Sequence, residues 1–211
     1  MDLSNLENDI VVDDPASLSE LMSLMSEDRS DDAPERGLYP FIVPLGSLLD
    51  WCPVERAESL LATFSSDSDN DMEFLMAYTI GLEEESIAHT FLFLDPCGHG
   101  TVCGYITLGS SHLFVSDRSC TDHRGPCPVP CDRPVPTFAI WGICRGRSCP
   151  IPFKDMIHAA KTIIRSRSRL TGCKLVRVDC RPSESSAYED AGFRPIGPMT
   201  GEGLEHMLLS L

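Results

Sequence analysis

The sequence predicts an α/β fold, in which helices flank a β-sheet, preceded by an acidic N-terminal extension. Residues 171–197, TGCKLVRVDCRPSESSAYEDAGFRPIG, have the pattern of a strand, a short helix and a second strand. Residues 137–144, TFAIWGIC, have the composition of a buried strand, and an amphipathic helical stretch follows them. Alternation of strands with helices is typical of α/β domains.

The strand that opens the first of these segments has two different faces. Val176, Val178 and Cys180 share one face, whereas Arg177 and Asp179 lie on the other. A period of two is typical of a strand with one face in the core. We therefore predict that this strand enters the core of the domain.

A short helix is predicted over residues 185–191. Ser183 or Ser185 can cap its start through a hydroxyl group, and Gly192 stands where a helix end needs a left-handed residue. Tyr188 projects from the middle of this helix.

The length of 211 residues suits one domain plus an appendage. The sequence has no apolar run of about 18 residues, and its N-terminus lacks the basic start and apolar centre of a signal peptide. We therefore expect a soluble, cytoplasmic protein. The ten cysteines are expected to be reduced thiols, because disulfide scaffolds belong to small exported chains.

Charge is distributed unevenly along the chain. Residues 1–35 hold eleven acidic residues and one base, whereas residues 145–181 hold ten of the 17 Lys and Arg residues and two acids. With a net charge of -15, the molecule as a whole would repel a long polyanion. The base-rich segment therefore predicts a site for a small, highly charged anion rather than a nucleic-acid surface.

The acidic extension covers residues 1–36, and the folded domain is expected over residues 37–211. High charge and low hydrophobicity favour a flexible tail. Leu18, Leu21, Met22 and Met25 form an apolar stripe at helical spacing within the extension. This stripe favours a short helix that docks on the folded domain or on a protein partner. Both interpretations remain open.

The segment between the extension and the Cys-rich loop predicts an edge strand, two helices and a hairpin. The edge strand covers residues 38–45, and the two helices cover residues 54–64 and 72–85. The two strands of the hairpin cover residues 87–94 and 101–108. The expected buried positions of the second helix are Leu75, Met76, Thr79 and Leu82. Its three glutamates at 83–85 are expected to be a solvated helix end.

Residues 116–136 are rich in cysteine and proline and are predicted to form a loop, because they hold too many prolines for a central strand. Four side chains in it have the ligand types of a zinc site, namely Cys120, His123, Cys127 and Cys131. Their spacing lacks paired CxxC knuckles, so we expect no bound metal and treat the four as weak candidates.

The strand TFAIWGIC is followed by a turn and a helix. The apolar stripe of this helix is formed by Phe153, Met156, Ile157, Ala160, Ile163 and Ile164.

Two parts of the chain resemble the GNAT-type N-acetyltransferase superfamily, in collinear order across residues 40–200. The C-terminal part is similar to the family segment A-x-x-[FL]-Y-x-x-x-G-F, although Ala187 stands where a larger apolar residue is common. The N-terminal part is similar to a subgroup in which a Phe-Ser step precedes a short acidic helix and a Gly-Tyr-Phe-x-Leu-like strand. The corresponding residues are Ser185, Ser186, Tyr188, Gly192 and Phe193 in the first part, and Phe64, Ser65, Asp71, Glu73, Phe74, Leu75, Ala88, Thr90, Gly104, Tyr105 and Leu108 in the second.

This resemblance implies a twisted mixed sheet flanked by helices and a reaction with acetyl-CoA. Tyr188 is then the general acid that protonates the departing coenzyme A thiolate. The strand backbone that pairs with the pantetheine arm is that of Ile140, Trp141, Gly142 and Ile143. The turn that holds the pyrophosphate is formed by Arg145, Gly146, Arg147 and Ser148.

The turn departs from the family pattern [QR]-x-x-G-x-[GA]. Pro150 and Pro152 have no N–H group to donate, so the backbone cradle is incomplete or shifted. The guanidinium groups of Arg145 and Arg147 are candidates to compensate, since they bind phosphate bidentately.

The expected function is N-acetyl transfer from acetyl-CoA to an amine of an unidentified acceptor. Neither a membrane nor a nucleic acid is an expected partner, except for a nucleic acid that carries the acceptor amine. Two alternatives are a catalytically silent GNAT fold that acts as a binding module, and a zinc-stabilised interaction protein.

Overall fold

The computed structural model describes residues 41–95, 100–114, 134–196, 200 and 203–211. Within these ranges the chain forms six helices and seven strands. In chain order they are β1 Phe41–Pro44, α1 Leu45–Trp51, α2 Val54–Leu61, α3 Asp69–Ala77, α4 Thr79–Glu84, β2 Ala88–Leu94, β3 Val102–Phe114, β4 Pro134–Arg145, α5 Phe153–Thr171, β5 Leu175–Cys180, α6 Ser185–Asp190, β6 Arg194–Pro195 and β7 Glu205–Ser210.

The seven strands form one mixed sheet in the order β1-β2-β3-β4-β5-β7-β6. Strands β4 and β5 are parallel, and helix α5 connects them. Strand β1 is antiparallel to β2, and β7 is antiparallel to both β5 and β6. The predicted α/β fold with a mixed sheet is confirmed.

The chain divides into two compact units. The first contains the described residues before Leu108 together with residues 142–153. The second contains the described residues of 108–141 and 154–211.

The core of the first unit surrounds Tyr105. Its ring meets the Phe64 ring edge-on at a centroid distance of 5.3 Å and stacks on the Phe74 ring at 6.3 Å. The Tyr105 hydroxyl donates to the Asp71 carbonyl at 2.9 Å, so the polar atom of this buried ring has a partner. The other buried members are Val43, Leu45, Leu48, Cys52, Ala57, Leu61, Leu75, Leu92, Leu94 and Val102.

The core of the second unit includes one face of α5 and one face of β5, as the sequence predicts. On β5 the buried residues are Val176, Val178 and Cys180, and the Cys180 thiol contacts the sulfur of Met207 on β7 at 3.4 Å. On α5 they are Met156, Ile157, Ala160, Ile163 and Ile164.

The single helix predicted over residues 72–85 is divided in two. Helix α3 begins at Asp69, because the Ser68 hydroxyl accepts the Asp71 N–H at 3.3 Å and caps its start. The helical course changes at Tyr78, which ends α3 and precedes α4. With this break Met76 is 42% exposed, so its predicted burial is wrong.

The predicted solvated helix end at residues 83–85 is wrong for Glu83. Its side chain is only 5% exposed. The carboxylate accepts the Thr90 N–H and lies 2.9 Å from Nδ1 of His89, both on β2. Glu83 therefore ties the end of α4 to the start of the next strand.

Other differences concern element ends and two missed elements. Helix α1 and strand β7 were not predicted. Strand β4 begins at Pro134, within the predicted loop 116–136, and β3 continues to Phe114. The N-cap of α6 is Glu184, not a serine.

Several predictions lie outside the described residues. They are the extension 1–36 and the zinc candidates Cys120, His123, Cys127 and Cys131. The six cysteines within the described ranges are free thiols. None of the described helices is both long and apolar enough to cross a membrane.

Candidate functional site

Tyr188 is held by the C-terminal cap of α6. Gly192 has φ +93°, its N–H donates to the Glu189 carbonyl at 2.8 Å, and the Phe193 N–H donates to the Tyr188 carbonyl at 3.0 Å. This pair of bonds is a Schellman motif, which places the residue after glycine against the last helical turn. The predicted glycine cap is confirmed.

The Tyr188 ring is fixed by the same motif. Tyr188 is 2% exposed, and its ring meets the Phe193 ring edge-on at a centroid distance of 5.4 Å. The ammonium group of Lys161 on α5 donates to the Ala191 carbonyl at the helix end. A cation at a helix C-terminus is favourable, so α5 helps to hold the short helix in place.

Ile140 and Trp141 belong to the same unit as Tyr188. The parallel ladder between β4 and β5 comprises three registered pairs, the last of which joins Ile140 to Val178. The Trp141 side chain is 43% exposed. A Cβ atom at Gly109 would lie 2.7 Å from the indole, so only glycine at that position allows the ring to lie across β3.

Gly142 and Ile143 continue β4 in the first unit. Ile143 is 9% exposed, whereas a Cβ atom at Gly142 would meet only the sulfur of Cys144, at 3.8 Å. The described residues therefore leave space for a side chain at Gly142.

The backbone N–H groups at the start of the predicted phosphate turn have partners inside the protein. The Gly146 N–H donates to the Cys103 carbonyl and the Arg147 N–H to the Ser65 carbonyl, both at 2.8 Å. A Cβ atom at Gly146 would lie 2.7 Å from the Cys103 oxygen. Gly146 thus permits the turn to lie against β3.

The two arginines of the turn differ in their contacts. Arg145 donates to the carbonyls of Ile151 and Cys149 at 2.8 and 2.7 Å, which braces the turn from within. Arg147 lies 2.6 Å from Asp67 in an exposed ion pair. Exposed pairs of this kind contribute little, so the Arg147 guanidinium is available to another anion.

Cys149 is a residue of this turn that the sequence did not identify as functional. It is 3% exposed. A hydrogen bond from the Cys103 thiol, with smaller contributions from the Ile151 backbone and Arg145, lowers the pKa of Cys149 to about 6. Nothing in the residue pattern brings Cys103 and Cys149 together, because 46 positions of sequence separate them.

A polar cluster lies across β5 and β7 in the second unit, opposite the buried face of β5. Asp179 pairs with His206 in the strand register, and its Oδ1 lies 2.6 Å from Nδ1 of that histidine. Arg177 donates to both oxygens of Asp179, from Nε at 3.2 Å and from Nη2 at 2.9 Å. Burial raises the pKa of Asp179, but the hydrogen bonds and charges of Arg177 and His206 outweigh burial and lower it.

Solved structures with similar folds include bacterial toxins. One, described as a bacterial toxin, is 14% identical, covers 70% of this chain and 80% of its own, and has a TM-score of 0.59. AtaT complexed with acetyl-methionyl-tRNAfMet is 17% identical over 71% of this chain and 86% of its own, with a TM-score of 0.56. A tyrosine-to-phenylalanine mutant of KacT is 12% identical over 71% and 86%, with a TM-score of 0.55.

These likenesses, all below 25% identity, show the fold alone, and they agree with the predicted α/β fold. No protein-family model matches the sequence, and a search of curated proteins finds no match.

Proposed function

We propose that this protein is an N-acetyltransferase that moves an acetyl group from acetyl-CoA to an amine. The observation that carries the proposal is the similarity of its fold to AtaT–AtaR bound with acetyl-CoA, with a TM-score of 0.54 over 71% of this chain. The rigidly capped Tyr188 supports it, because the GNAT resemblance gives this position the role of general acid.

In the proposed reaction the amine attacks the thioester carbonyl directly. The backbone of residues 140–143 pairs with the pantetheine arm and polarises the carbonyl. Tyr188 gives its proton to the sulfur as the C–S bond breaks. The end of the β4–β5 ladder at Ile140 supports this role, since the β4 backbone beyond it has no registered pair with β5.

Phosphate binding in this proposal depends mainly on side chains. The amides of Gly146 and Arg147 are already bonded to protein carbonyls, and Pro150 and Pro152 have none. Arg147 can exchange the exposed Asp67 carboxylate for a phosphate, with which a guanidinium forms bidentate bonds. Arg145 would contribute indirectly, by holding the turn in shape.

The acceptor class that we propose to test first is an α-amine attached to an aminoacyl group. The support is the AtaT structure complexed with acetyl-methionyl-tRNAfMet, whose fold this chain shares. A methionyl-tRNA and its small mimic L-methionine amide present the same amine with and without a polyanion. Comparison of the two separates recognition of the amine from recognition of the nucleic acid.

Calorimetry with acetyl-CoA on the purified full-length protein tests the proposal. We expect saturable binding that weakens with added salt, because the phosphates meet cationic side chains. Arg147→Gln should bind more weakly than wild type, whereas Lys174→Gln is a matched control outside the turn. Absence of heat and of a thermal shift at millimolar acetyl-CoA would exclude the proposal.

A specific observation favours one alternative, a GNAT fold that binds a partner without catalysis. The internal bonding of the turn amides and the two prolines reduce the donors available to a pyrophosphate. This alternative predicts no acetyl-CoA binding by the same calorimetry. The zinc-stabilised alternative depends on residues outside the described ranges, and loss of fold with a chelator would support it.

A further inference from the structure

We propose that His206, oriented by Asp179 and Arg177, is the base that accepts the proton of the attacking amine. This inference rests on the proposed acetyl transfer, for which the sequence identified an acid but no base. His206 is a catalytic residue in this scheme, and Asp179 and Arg177 are positioning residues.

The hydrogen bonds decide which nitrogen of the imidazole carries the proton. Asp179 is held ionised between Arg177 and His206, so its oxygens only accept hydrogen bonds. Nδ1 of His206, at 2.6 Å from Oδ1, must therefore be the donor. The Nη2 atom of Arg177 is 3.2 Å from Nδ1, but it is itself a donor and bonds instead to Oδ2 of Asp179.

In the neutral imidazole the lone pair is consequently on Nε2. Among the described residues, none makes a hydrogen bond or ion pair with Nε2. The His206 side chain is 26% exposed. A carboxylate on Nδ1 also stabilises the imidazolium that forms when Nε2 takes a proton.

The strand register places this pair at the end of the β4–β5 ladder. The last registered pair joins Ile140 to Val178, and Asp179 is the next residue of β5. His206 lies directly opposite Asp179 on β7. In the proposed path along β4, the acyl end of the pantetheine arm lies at Ile140. The acyl group and the His206–Asp179 pair therefore share this end of the ladder.

On the described strands that pair with β7, three charged side chains share the face of His206. Strand β5 contributes Asp179 and Arg177, which form one ion pair. Strand β6 contributes Arg194, which lies opposite Leu208 in the register. The lowered pKa of Asp179 keeps this carboxylate ionised near neutrality.

In the proposed step one proton leaves the amine and one proton reaches the sulfur. The neutral amine forms an N–C bond to the thioester carbon, and Nε2 of His206 takes one proton from the nitrogen that has become positive. The C–S bond then breaks, and the sulfur takes the proton of Tyr188. Solvent removes the proton from the imidazolium and restores the phenol, so an amine and a thioester give an amide and a thiol.

Steady-state kinetics with acetyl-CoA and either L-methionine amide or methionyl-tRNA test the inference. We expect His206→Gln to lower kcat/KM by about 10² to 10⁴ and to change the shape of its pH profile. Asp179→Asn should lower kcat/KM less and shift the pH profile, while the affinity for acetyl-CoA stays unchanged. His158 is an exposed histidine of the same unit. The control variant His158→Gln should keep the wild-type kcat/KM and its pH profile.

A second measurement needs no acceptor. Nitrogen-15 NMR of the imidazole should show the proton on Nδ1 in wild type and its redistribution in Asp179→Asn. An Nε2–H tautomer in wild type would overturn the inference.

The failures are distinguishable. A wild-type protein that binds no acetyl-CoA in calorimetry contradicts the proposed function, and this inference falls with it. A wild type that binds acetyl-CoA but acetylates neither acceptor contradicts the proposed acceptor class, and the tautomer measurement then decides this inference. An active wild type together with a His206→Gln variant that keeps the rate and the pH profile contradicts this inference alone.

Discussion

At the scale of single residues, a variant of Tyr188 can test whether its role is packing or proton donation. Replacement by phenylalanine keeps the ring that meets Phe193 and removes only the hydroxyl. We expect Tyr188→Phe to lower turnover by roughly 10² with nearly unchanged acetyl-CoA affinity, the usual size for loss of an acid catalyst. Thermal unfolding should confirm that the fold is retained. A fully active variant would assign the tyrosine to packing.

Asp179 makes the stability of the protein dependent on pH. Its folded pKa lies below its ordinary value, so its contribution is present above the unfolded pKa and is lost as the pH falls through the folded pKa. We expect Asp179→Asn to reduce the free energy of unfolding at neutral pH. This deficit should shrink in acid, below about pH 4. Denaturant unfolding at both pH values measures the difference, and a deficit independent of pH would contradict it.

At the scale of elements, the glycine cap at the end of α6 fixes the position of Tyr188. Gly192→Ala forces an L-residue to φ +93°, although the added Cβ would meet Leu209 only at an ordinary 3.6 Å. We expect a loss of roughly 1 kcal/mol in the free energy of unfolding, from backbone strain alone. The acetyl-transfer rate should fall as well, because the cap positions the tyrosine.

Gly172→Ala is the matched control for this prediction. Gly172 follows α5 at φ +72°, and its Cβ would meet nothing within 4 Å. It should lose similar stability and keep its activity. Equal activities of the two alanine variants would show that the cap has no influence on the site.

The elements that could be predicted are those whose own residues determine them. The apolar stripe of α5 and the alternating residues of β5 each predict one buried face, which the structure has. Gly192 predicts a positive φ angle, and its φ is +93°. Strand β7 was missed because its short sequence, EHMLLS, gives no strong pattern apart from its neighbours. It is a strand because β5 and β6 pair with it on either side.

At the scale of the whole molecule, the parts of the candidate site that could not be predicted depend on chain segments far apart in sequence. His206 meets Asp179 only because β7 lies next to β5, and 27 positions separate them. The Gly146 N–H reaches the Cys103 carbonyl because β4 lies next to β3 in the sheet. The sequence placed Asp179 on the correct face of its strand, but it contains no local signal for the partner across the ladder.

The exposed indole of Trp141 also gives the protein an optical reporter. The chain has two tryptophans, and Trp51 on α1 is the other. Trp51→Phe would leave one emitter, attached to the strand segment proposed to receive the pantetheine arm. Its emission is expected to change in colour or intensity during an acetyl-CoA titration, with a midpoint that matches calorimetry. A constant spectrum while calorimetry shows binding would mean that the ligand occupies another part of the surface.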